Sequence, residues 1–362
     1  MTQALAADIR RPEAIDAAWM AQVLKGAGID AAVASVEAKP IGTGQTGECM
    51  RFVIHYADDG APGPRSLIGK FPSSDPASCR AGMAGGDYVR EVRFYRDLAL
   101  TTDVAAPRCY LAELDADSGA FVLLLEDLSP ARQGDQLAGV TLDQARLVVE
   151  EAAKLHAPYW GDPRLAEIDW IKQTTRSTTK LPAADVVMKT CEGFTERYAG
   201  QLTDHAVTAC RRYAERVDHY RAIPRKFKTI AHYDFRPDNM MFATPEGGHA
   251  VTVLDWQTLS WAAGADDLAY FLAGALPAET LRAHEPELLQ LYLDALISRG
   301  VKDYTMADLE RDYAIGAFRL LATGMGGAMA VVRTARGDRM FIQMVNAAAQ
   351  HIRDHCSLAY LD

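Results

Sequence analysis

The residues best suited to chemistry lie in one short segment, from Ile230 to Phe242. It contains His232, Asp234 and Asn239, and a second carboxylate, Asp255, follows a little further along the chain. A carboxylate can accept a proton from a hydroxyl group. Amide and carboxylate oxygens are hard ligands that suit Mg²⁺. The set predicts Asp234 as a proton acceptor beside a metal site made by Asn239 and Asp255.

The element that must position these residues is a short hairpin. Its strands read as Met240-Met-Phe242 and Ala250-Val-Thr-Val-Leu254, on either side of a turn at Pro245-Glu-Gly-Gly248. An antiparallel hairpin brings its two outer ends side by side, so Asn239 and Asp255 are expected to meet. The H-x-D-x-x-x-x-N spacing is that of protein-kinase catalytic loops. The alternative is that these side chains only cap turns, as Asp and Asn often do.

A glycine-rich segment, Gly42-x-Gly44-x-x-Gly47, precedes this constellation. A dinucleotide-binding loop requires a following helix, and a phosphate-binding P-loop requires Lys-Ser/Thr after the last glycine. Here an alternating strand pattern follows, beginning with Glu48-Cys49. A glycine loop between two strands is what kinases place over ATP phosphates. The alternative is an ordinary surface turn.

Two charged residues could complete a nucleotide site. Lys70 lies in an apolar strand, Leu67-Ile-Gly-Lys70-Phe71, and Glu91 shares a helical face with Tyr88, Val92 and Tyr95. A carboxylate on an inward face needs a partner. Kinases pair a strand lysine with a helix glutamate to hold the α- and β-phosphates. The alternative for Lys70 is a surface lysine whose aliphatic stem is buried.

Three further residues near the motif have roles that the sequence leaves more open. His232 is expected to pack and hold its loop, with metal binding by His232 and Asp234 as a minor alternative. Arg236 could stabilise charge on a transferring phosphoryl group, or form a salt bridge that holds the loop. Asp267 is expected to cap the helix that begins beside it.

With these motifs, the chain resembles the aminoglycoside phosphotransferase / choline kinase superfamily, and within it the ecdysteroid-kinase-like branch and its bacterial members. The resemblance extends from about Ile41 to Phe271. Besides the residues above, it rests on Leu123-Leu-Leu-Glu-Asp-Leu128, Leu155-His-Ala157 with Trp160, Asp255-Trp-Gln257 and Asp266-Asp-Leu-Ala269. It implies a protein-kinase-like bilobal fold, ATP bound at Glu126 and Leu128, and Mg²⁺ on Asn239 and Asp255.

The chain departs from the superfamily pattern at three places. Tyr233 stands where the superfamily often has glycine, and Arg236 where it often has histidine or another residue. Trp256-Gln257 stands where protein kinases have Phe-Gly. None of these changes removes a catalytic group, but they argue against assigning aminoglycosides as the substrate.

The predicted fold class is α+β, with a small antiparallel-sheet N-lobe over residues 1–126 and a larger, mainly helical C-lobe over residues 127–362. The sequence predicts strands at 33–40 and 66–71, a strand at 50–56 from alternation, and one at 120–125 from an apolar run of strand length. A helix is predicted at 88–98, and a capping box at Thr141-Leu-Asp-Gln144 opens another. Further helices are expected within 184–220, 266–297 and 306–354.

Composition narrows the class of protein. The chain has 362 residues, a net charge of -10, 49% apolar residues and no run rich in Lys and Arg, so a nucleic-acid partner is not expected. Its six cysteines are scattered without metal spacing, which is typical of a reducing compartment. A polar N-terminus and the lack of a membrane-length apolar stretch favour a cytoplasmic protein without a membrane partner. The sequence makes no prediction of oligomeric state.

The predicted activity is ATP-dependent phosphorylation of a small-molecule alcohol. Alternatives are a non-catalytic nucleotide-binding pseudokinase, an aminoglycoside-type phosphotransferase, and a metal-dependent hydrolase. We expect an apolar or neutral acceptor, because binding a polycation needs a concentrated acidic surface. Aromatic and methionine side chains of the helical lobe could line an apolar cavity: Trp160, Trp170, Met188, Phe194, Trp261, Met325 and Met329.

Overall fold

The computed structural model describes residues 9–42, 47–58, 60–171 and 182–362, in two compact units. The first unit contains the chain up to Thr101, Ala105–Pro130 and the short segment Leu254–Thr258. The second contains Thr102–Val104, Ala131–Val253 and Leu259–Asp362. Leu254–Thr258 therefore packs with the first unit, although it lies within the sequence of the second.

The described part of the first unit is built on a five-stranded antiparallel sheet with the strand order β1-β2-β3-β5-β4. The strands are β1 Val33–Ile41, β2 Gly47–Tyr56, β3 Ser66–Pro72, β4 Cys109–Leu114 and β5 Phe121–Glu126. In the central strand β3, Lys70 lies opposite Cys49 of β2 and Leu123 of β5. The four strands predicted from the sequence are present, and β4 is an additional one.

Three helices accompany this sheet in the described residues: α1 Ala17–Gly26, α2 Pro76–Gly85 and α3 Asp87–Arg93, the last continued by a π-helical turn at Phe94–Leu98. Helix α1 begins after Asp16, whose carboxylate accepts a hydrogen bond from Trp19 N. Its apolar side packs in a core with sheet residues such as Phe52 and Phe71. The helix predicted at 88–98 is confirmed as α3 with its π turn.

The second unit is mainly helical. Its helices are α4 Leu142–His156, α5 Ala184–Arg197, α6 Asp204–Glu215, α7 Val217–Ala222, α8 Gly264–Ala275, α9 Ala278–Ser298, α10 Met306–Ala330 and α11 Ala335–Asp354. Helix α4 begins with the predicted capping box, in which Thr141 and Gln144 exchange side-chain and backbone hydrogen bonds. An antiparallel-sheet N-terminal region followed by a helical C-terminal region confirms the predicted fold class.

Short strands interrupt these helices. The predicted hairpin is present as β8 Met240–Thr244 and β9 Gly247–Val253, and β6 Arg132–Gln133 pairs with β8. Within the hairpin Met240 lies opposite Val253. A separate antiparallel pair joins β7 Thr229–Ala231 to β10 Ser260–Ala262. The sequence did not predict β6, β7 or β10.

The apolar core of the second unit is formed by helices α5, α6, α8, α10 and α11. Two residues proposed for an acceptor cavity, Phe194 and Met325, lie fully inside this core, at 0% and 1% exposure. That part of the expectation is wrong, because helical spacing alone does not distinguish a core face from a cavity wall. Among the described residues, every helix is too short or too polar to cross a bilayer.

Candidate active site

Lys70, Glu91 and Asp255 meet in the first unit. The ammonium group of Lys70 forms an ion pair with Glu91 of α3 and lies 3.4 Å from Oδ1 of Asp255. Burial alone lowers the pKa of Lys70, but the two carboxylates outweigh it and hold that pKa well above its usual value. The expected Lys70–Glu91 pair is therefore present, with a lysine that stays charged.

The segment that carries Asp255 is fixed by neighbours in the same unit. The indole of Trp256 stacks on the ring of Phe94, with centroids 3.6 Å apart and planes 9° apart. Arg90 donates from Nε to the carbonyl of Gln257. Asp255 itself has a left-handed backbone, with φ 65°. These contacts explain how a Trp-Gln pair holds the segment where protein kinases use Phe-Gly.

The carboxylate of Asp255 is only partly engaged. Its Oδ1 faces Lys70, and the side chain is 30% exposed. Within the described part of the chain, Oδ2 accepts no hydrogen bond. One oxygen is therefore open to a ligand.

The structure describes part of the glycine-rich segment. Gly42 follows the last residue of β1 with φ 71°, a conformation that glycine adopts without strain. Gly47 begins β2, where a Cβ would lie 2.9 Å from the carbonyl oxygen of Phe71. Gly44 lies outside the described residues. The two described glycines therefore stand where a side chain would be strained or crowded.

The predicted hinge follows β5. Glu126 is its last residue, and its carboxylate accepts a hydrogen bond from Arg108 N at 3.1 Å. Leu128 follows in the connection out of the strand. The nucleotide contacts expected of both residues stay predictions.

Asp234 is the centre of a second cluster, within the second unit. Its Oδ1 accepts a hydrogen bond from the hydroxyl of Tyr270 at 2.8 Å. Its Oδ2 accepts from Nδ2 of Asn239 at 2.8 Å and from Nε of Arg236 at 3.1 Å. Burial alone raises the pKa of Asp234, but the Arg236 charge and these hydrogen bonds hold that pKa below its usual value. The carboxylate is therefore ionised and fixed in orientation.

Asn239 is oriented by the same carboxylate. It ends a short 3₁₀ turn, Pro237–Asn239, directly before β8. Its Nδ2 also donates to the carbonyl oxygen of Asp234 at 2.8 Å. With the NH₂ group so used, Oδ1 accepts no hydrogen bond from any described residue. The amide oxygen is therefore available as a ligand.

The backbone of this loop is held by Asp267. Its two carboxylate oxygens accept hydrogen bonds from His232 N at 2.6 Å and Tyr233 N at 2.8 Å. Helix α8 begins at Gly264, three residues before Asp267, so the expected helix-capping role is wrong. Asp267 stabilises the loop instead, and the buried His156 contacts the same carboxylate at 3.2 Å.

His232 has the structural role that the sequence predicted. Its side chain is fully buried, and its Nδ1 accepts a hydrogen bond from Asp234 N at 3.3 Å. The residue between them, Tyr233, has φ 70°. This left-handed conformation is one that glycine adopts without strain and that a tyrosine rarely adopts.

Arg319 of α10 stabilises this strained position. Its guanidinium lies 3.7 Å from the centroid of the Tyr233 ring. Its Nε and Nη2 donate to the Tyr233 carbonyl at 3.2 and 2.9 Å. A cation over an aromatic face is stabilising by about 0.5–2 kcal/mol, comparable with the strain of a left-handed tyrosine.

Arg236 bridges two carboxylates of its own loop. Besides Asp234, its Nη1 donates to Oδ2 of Asp238 at 2.8 Å. Arg336 of α11 binds the other oxygen of Asp238 at 3.1 Å. Of the two roles considered for Arg236, these contacts favour the salt bridge that holds the loop.

Tyr270 and Arg319 are among the residues in contact with this loop that were missed from the sequence. Tyr270 had a usable signal, because it lies three residues after Asp267 on α8 and so shares a helix face with it. Arg319 had none, because it lies on a helix far along the chain. The structure thus brings Asp234, Arg236 and Asn239 together in one unit, and Lys70, Glu91 and Asp255 in the other.

Comparison with known proteins gives a match to one family over part of the chain and a similar fold. Residues 162–302 match the ecdysteroid kinase-like family. A comparison with curated proteins gave no significant match.

Solved structures give matches across most of the chain. A proposed aminoglycoside phosphotransferase of Ralstonia eutropha JMP134 is 16% identical, with a TM-score of 0.51, over 93% of this chain and 97% of that one. An ethanolamine kinase of Plasmodium vivax is 11% identical, with a TM-score of 0.48, over 89% and 82% of the two chains. A choline/ethanolamine kinase family protein of Mesorhizobium loti is 15% identical, with a TM-score of 0.45, over 90% and 92%. The resemblance to the ecdysteroid kinase-like family is thus confirmed over residues 162–302, on a fold shared with the Ralstonia protein.

Proposed function

We propose that this protein is a small-molecule kinase that transfers the γ-phosphoryl group of ATP to an alcohol hydroxyl. The observation that carries the proposal is the Asp234 carboxylate. It is ionised, fixed by Tyr270, Asn239 and Arg236, and followed by an asparagine whose Oδ1 is free of hydrogen bonds from the described residues. A fixed carboxylate beside a free amide oxygen suits phosphoryl transfer, in which positioning supplies most of the catalysis.

In this reaction the acceptor oxygen attacks the γ-phosphorus, and the bond from that phosphorus to the bridging oxygen breaks. ADP leaves with the electron pair, and the acceptor's proton passes to the carboxylate of Asp234. Because the pKa of Asp234 is below its usual value, it is a weak base. Its main contribution is therefore to orient the hydroxyl, and it takes the proton late, as the phosphorus–oxygen bond forms.

Asn239 and Asp255 are the residues that would hold Mg²⁺. Asn239 immediately precedes Met240 and Asp255 follows Val253 by two residues, and Met240 and Val253 are paired across the hairpin. Each offers one hard oxygen that no described residue occupies, a donor set that fits Mg²⁺. When bound, the ion neutralises charge on the phosphate oxygens.

Lys70 is proposed to bind the α- and β-phosphates. Its charge is held by Glu91 and Asp255, so it would meet an anion without first gaining a proton. The Gly42–Gly47 segment is proposed to approach the phosphates through backbone N–H groups, and Glu126 and Leu128 to flank the nucleotide base. Arg236 is proposed to hold Asp234 in place, and through it the acceptor.

The test is an ATP-consumption screen with alcohol libraries that cover amino sugars, choline-like amines and sterols. For any acceptor found, Asp234→Asn should reduce turnover by roughly 10²-fold or more while ATP binding stays nearly intact. Asp143→Asn is the matched control, because Asp143 is an exposed residue in the first turn of α4. Unchanged turnover in Asp234→Asn would remove Asp234 from the reaction. ATP binding without consumption across the libraries would favour the pseudokinase alternative.

A further inference from the structure

A cluster of metal-binding side chains lies in the second unit, on residues that the proposed phosphoryl transfer does not use. It consists of Glu285 on α9 with His351 and His355 at the end of α11. The two histidines are four residues apart, so the helix places them on one face. One ligand atom from each of the three side chains lies within 4.8 Å of the others.

The contacts in this cluster leave ligand atoms available. Glu285 lies 3.1 Å from His355 Nε2 and 3.9 Å from His351 Nδ1. Nε2 of His351 is buried and has no hydrogen-bond partner among the described residues. A buried ring nitrogen without a partner normally costs stability, unless it serves a ligand or a proton.

The residues around this cluster fix its side chains in the way that outer-shell hydrogen bonds fix metal ligands. The hydroxyl of Tyr313 on α10 donates to Oε1 of Glu285 at 2.9 Å and fixes that carboxylate. The ring of Tyr313 packs edge-on against both imidazoles. A small cavity of about 50 Å³ adjoins all three ligand residues, which leaves room for a metal-bound water. The side chains of Glu285 and His355 are 16% and 22% exposed, so an ion can reach them from solvent.

We propose that Glu285, His351 and His355 form a binding site for a divalent transition-metal ion of the Zn²⁺ type. Two imidazole nitrogens and one carboxylate oxygen are the ligand set of open tetrahedral zinc sites, with water as the fourth ligand. Ligand atoms around such an ion lie about 3.3 Å apart, so modest side-chain rotation closes the site. Nitrogen ligands disfavour Mg²⁺ and Ca²⁺. The ion would join α9 to α11.

The first experiment is a calorimetric titration of the chelator-treated full chain, without affinity-tag histidines, with Zn²⁺. We expect one equivalent of Zn²⁺ to bind tightly to each chain. When Co²⁺ replaces Zn²⁺, we expect the visible absorption spectrum of a tetrahedral Co²⁺ ion. Absence of the tight equivalent overturns the proposal.

The second experiment compares variants. His355→Gln should weaken Zn²⁺ binding by more than the roughly 10–100-fold that loss of an outer-shell partner costs. His284→Gln is the matched control, because His284 is an exposed histidine of α9 that contacts Glu287 at 3.4 Å. Zn²⁺ should raise the unfolding temperature of the wild type and of His284→Gln, but not that of His355→Gln. Equal Zn²⁺ affinity in all three proteins assigns the binding to other residues and overturns the site.

Discussion

Asp234 and Asp255 are both aspartates singled out by the motif spacing, but their neighbours give them different chemistry. Asp234 accepts hydrogen bonds from Tyr270, Asn239 and Arg236, so both of its oxygens are held. Asp255 contacts Lys70 through one oxygen, and its other oxygen accepts no hydrogen bond from the described residues. A held carboxylate suits the orientation of a substrate, and an open one suits a metal ion.

The open carboxylate leads to a prediction about nucleotide binding. Asp255→Ala should abolish Mg²⁺-dependent ATP binding while the fold survives, because the change removes one of two proposed metal ligands. Isothermal calorimetry with and without Mg²⁺ measures this directly. Asp115→Ala, at an exposed turn of the same unit, should bind like the wild type. Unaltered Mg²⁺–ATP affinity in Asp255→Ala would count decisively against the metal site.

The held carboxylate leads to a prediction about pH. Arg236 is the main group that lowers the pKa of Asp234, so Arg236→Gln should raise that pKa and move the acid limb of kcat/KM to higher pH. A lowered folded-state pKa also stabilises the fold above the usual pKa, and this contribution is lost as pH falls through the lowered value. Arg236→Gln should therefore lose stability mainly at neutral pH.

The measurements are a pH–rate profile and urea unfolding at two pH values. If Arg236 instead contacts the transferring group, the variant should lose turnover at every pH without a shift of the acid limb. That outcome would assign Arg236 a catalytic role in place of the positioning role proposed above.

At the scale of elements, the loop of Asp234 depends on helix α8. Asp267 of α8 accepts the backbone N–H groups of His232 and Tyr233, and Tyr270, one turn later, donates to Asp234. One helix face therefore fixes the backbone and one functional side chain of the loop. The position of Asp234 therefore depends on α8 as well as on the loop itself.

This dependence predicts a large effect of Asp267→Ala on stability. The change leaves two N–H groups without their acceptor, and each unsatisfied buried donor costs about 1–3 kcal/mol. We expect a loss of about 2–4 kcal/mol in urea unfolding, together with reduced turnover. Asp294→Ala, on the exposed face of α9, should change the unfolding free energy by less than about 0.5 kcal/mol. A loss of that small size in Asp267→Ala would contradict the assigned role.

Elements with a strong local pattern could be predicted from the sequence. Strand β2 carries alternation, β5 is a continuous apolar run, the hairpin β8–β9 contains a turn signal, and the helix after Thr141 begins with a capping box. Strand β4 is half-buried along its whole length, without alternating burial, and β7 and β10 have three residues each. Their pairing is decided by tertiary contacts, which a local pattern does not contain.

The residues of the candidate site likewise fall into those that the sequence predicts and those that it does not. Motif spacing predicted Asp234, Asn239, Asp255 and the Lys70–Glu91 pair. The roles of Asp267 and Arg319 depend on contacts between residues far apart in sequence, so the first was assigned as a cap and the second was not found. Spacing identifies groups within one loop, but it does not identify the groups that hold the loop.

At the scale of the whole molecule, the distribution of charge affects which acceptor the protein could bind. The net charge is -10, yet the acidic groups around Asp234 are already paired, Asp238 with Arg236 and Arg336. A polycation would have to displace these arginines to gain carboxylate partners. The molecule therefore has many acidic residues, but few of those in this loop are free to bind an amine.

We predict that kanamycin-type aminoglycosides are poor acceptors. Expression of the protein in a sensitive bacterium should leave the inhibitory concentration of kanamycin unchanged, because the paired carboxylates offer no desolvated partner for its ammonium groups. The control strain expresses Asp234→Asn. A clear rise in the inhibitory concentration with the wild type, absent with the variant, would establish an aminoglycoside phosphotransferase instead.

The segment Leu254–Thr258 has a consequence for how the protein is made on the ribosome. The other parts of the first unit end at Pro130, so residues 131–253 must be synthesised before Trp256 can cover Phe94 and Gln257 can accept from Arg90. At about 5–20 residues per second, this leaves the nascent first unit incomplete for roughly 6–25 s. During that interval it exposes an aromatic surface, a period in which we expect the growing chain to depend most on chaperones.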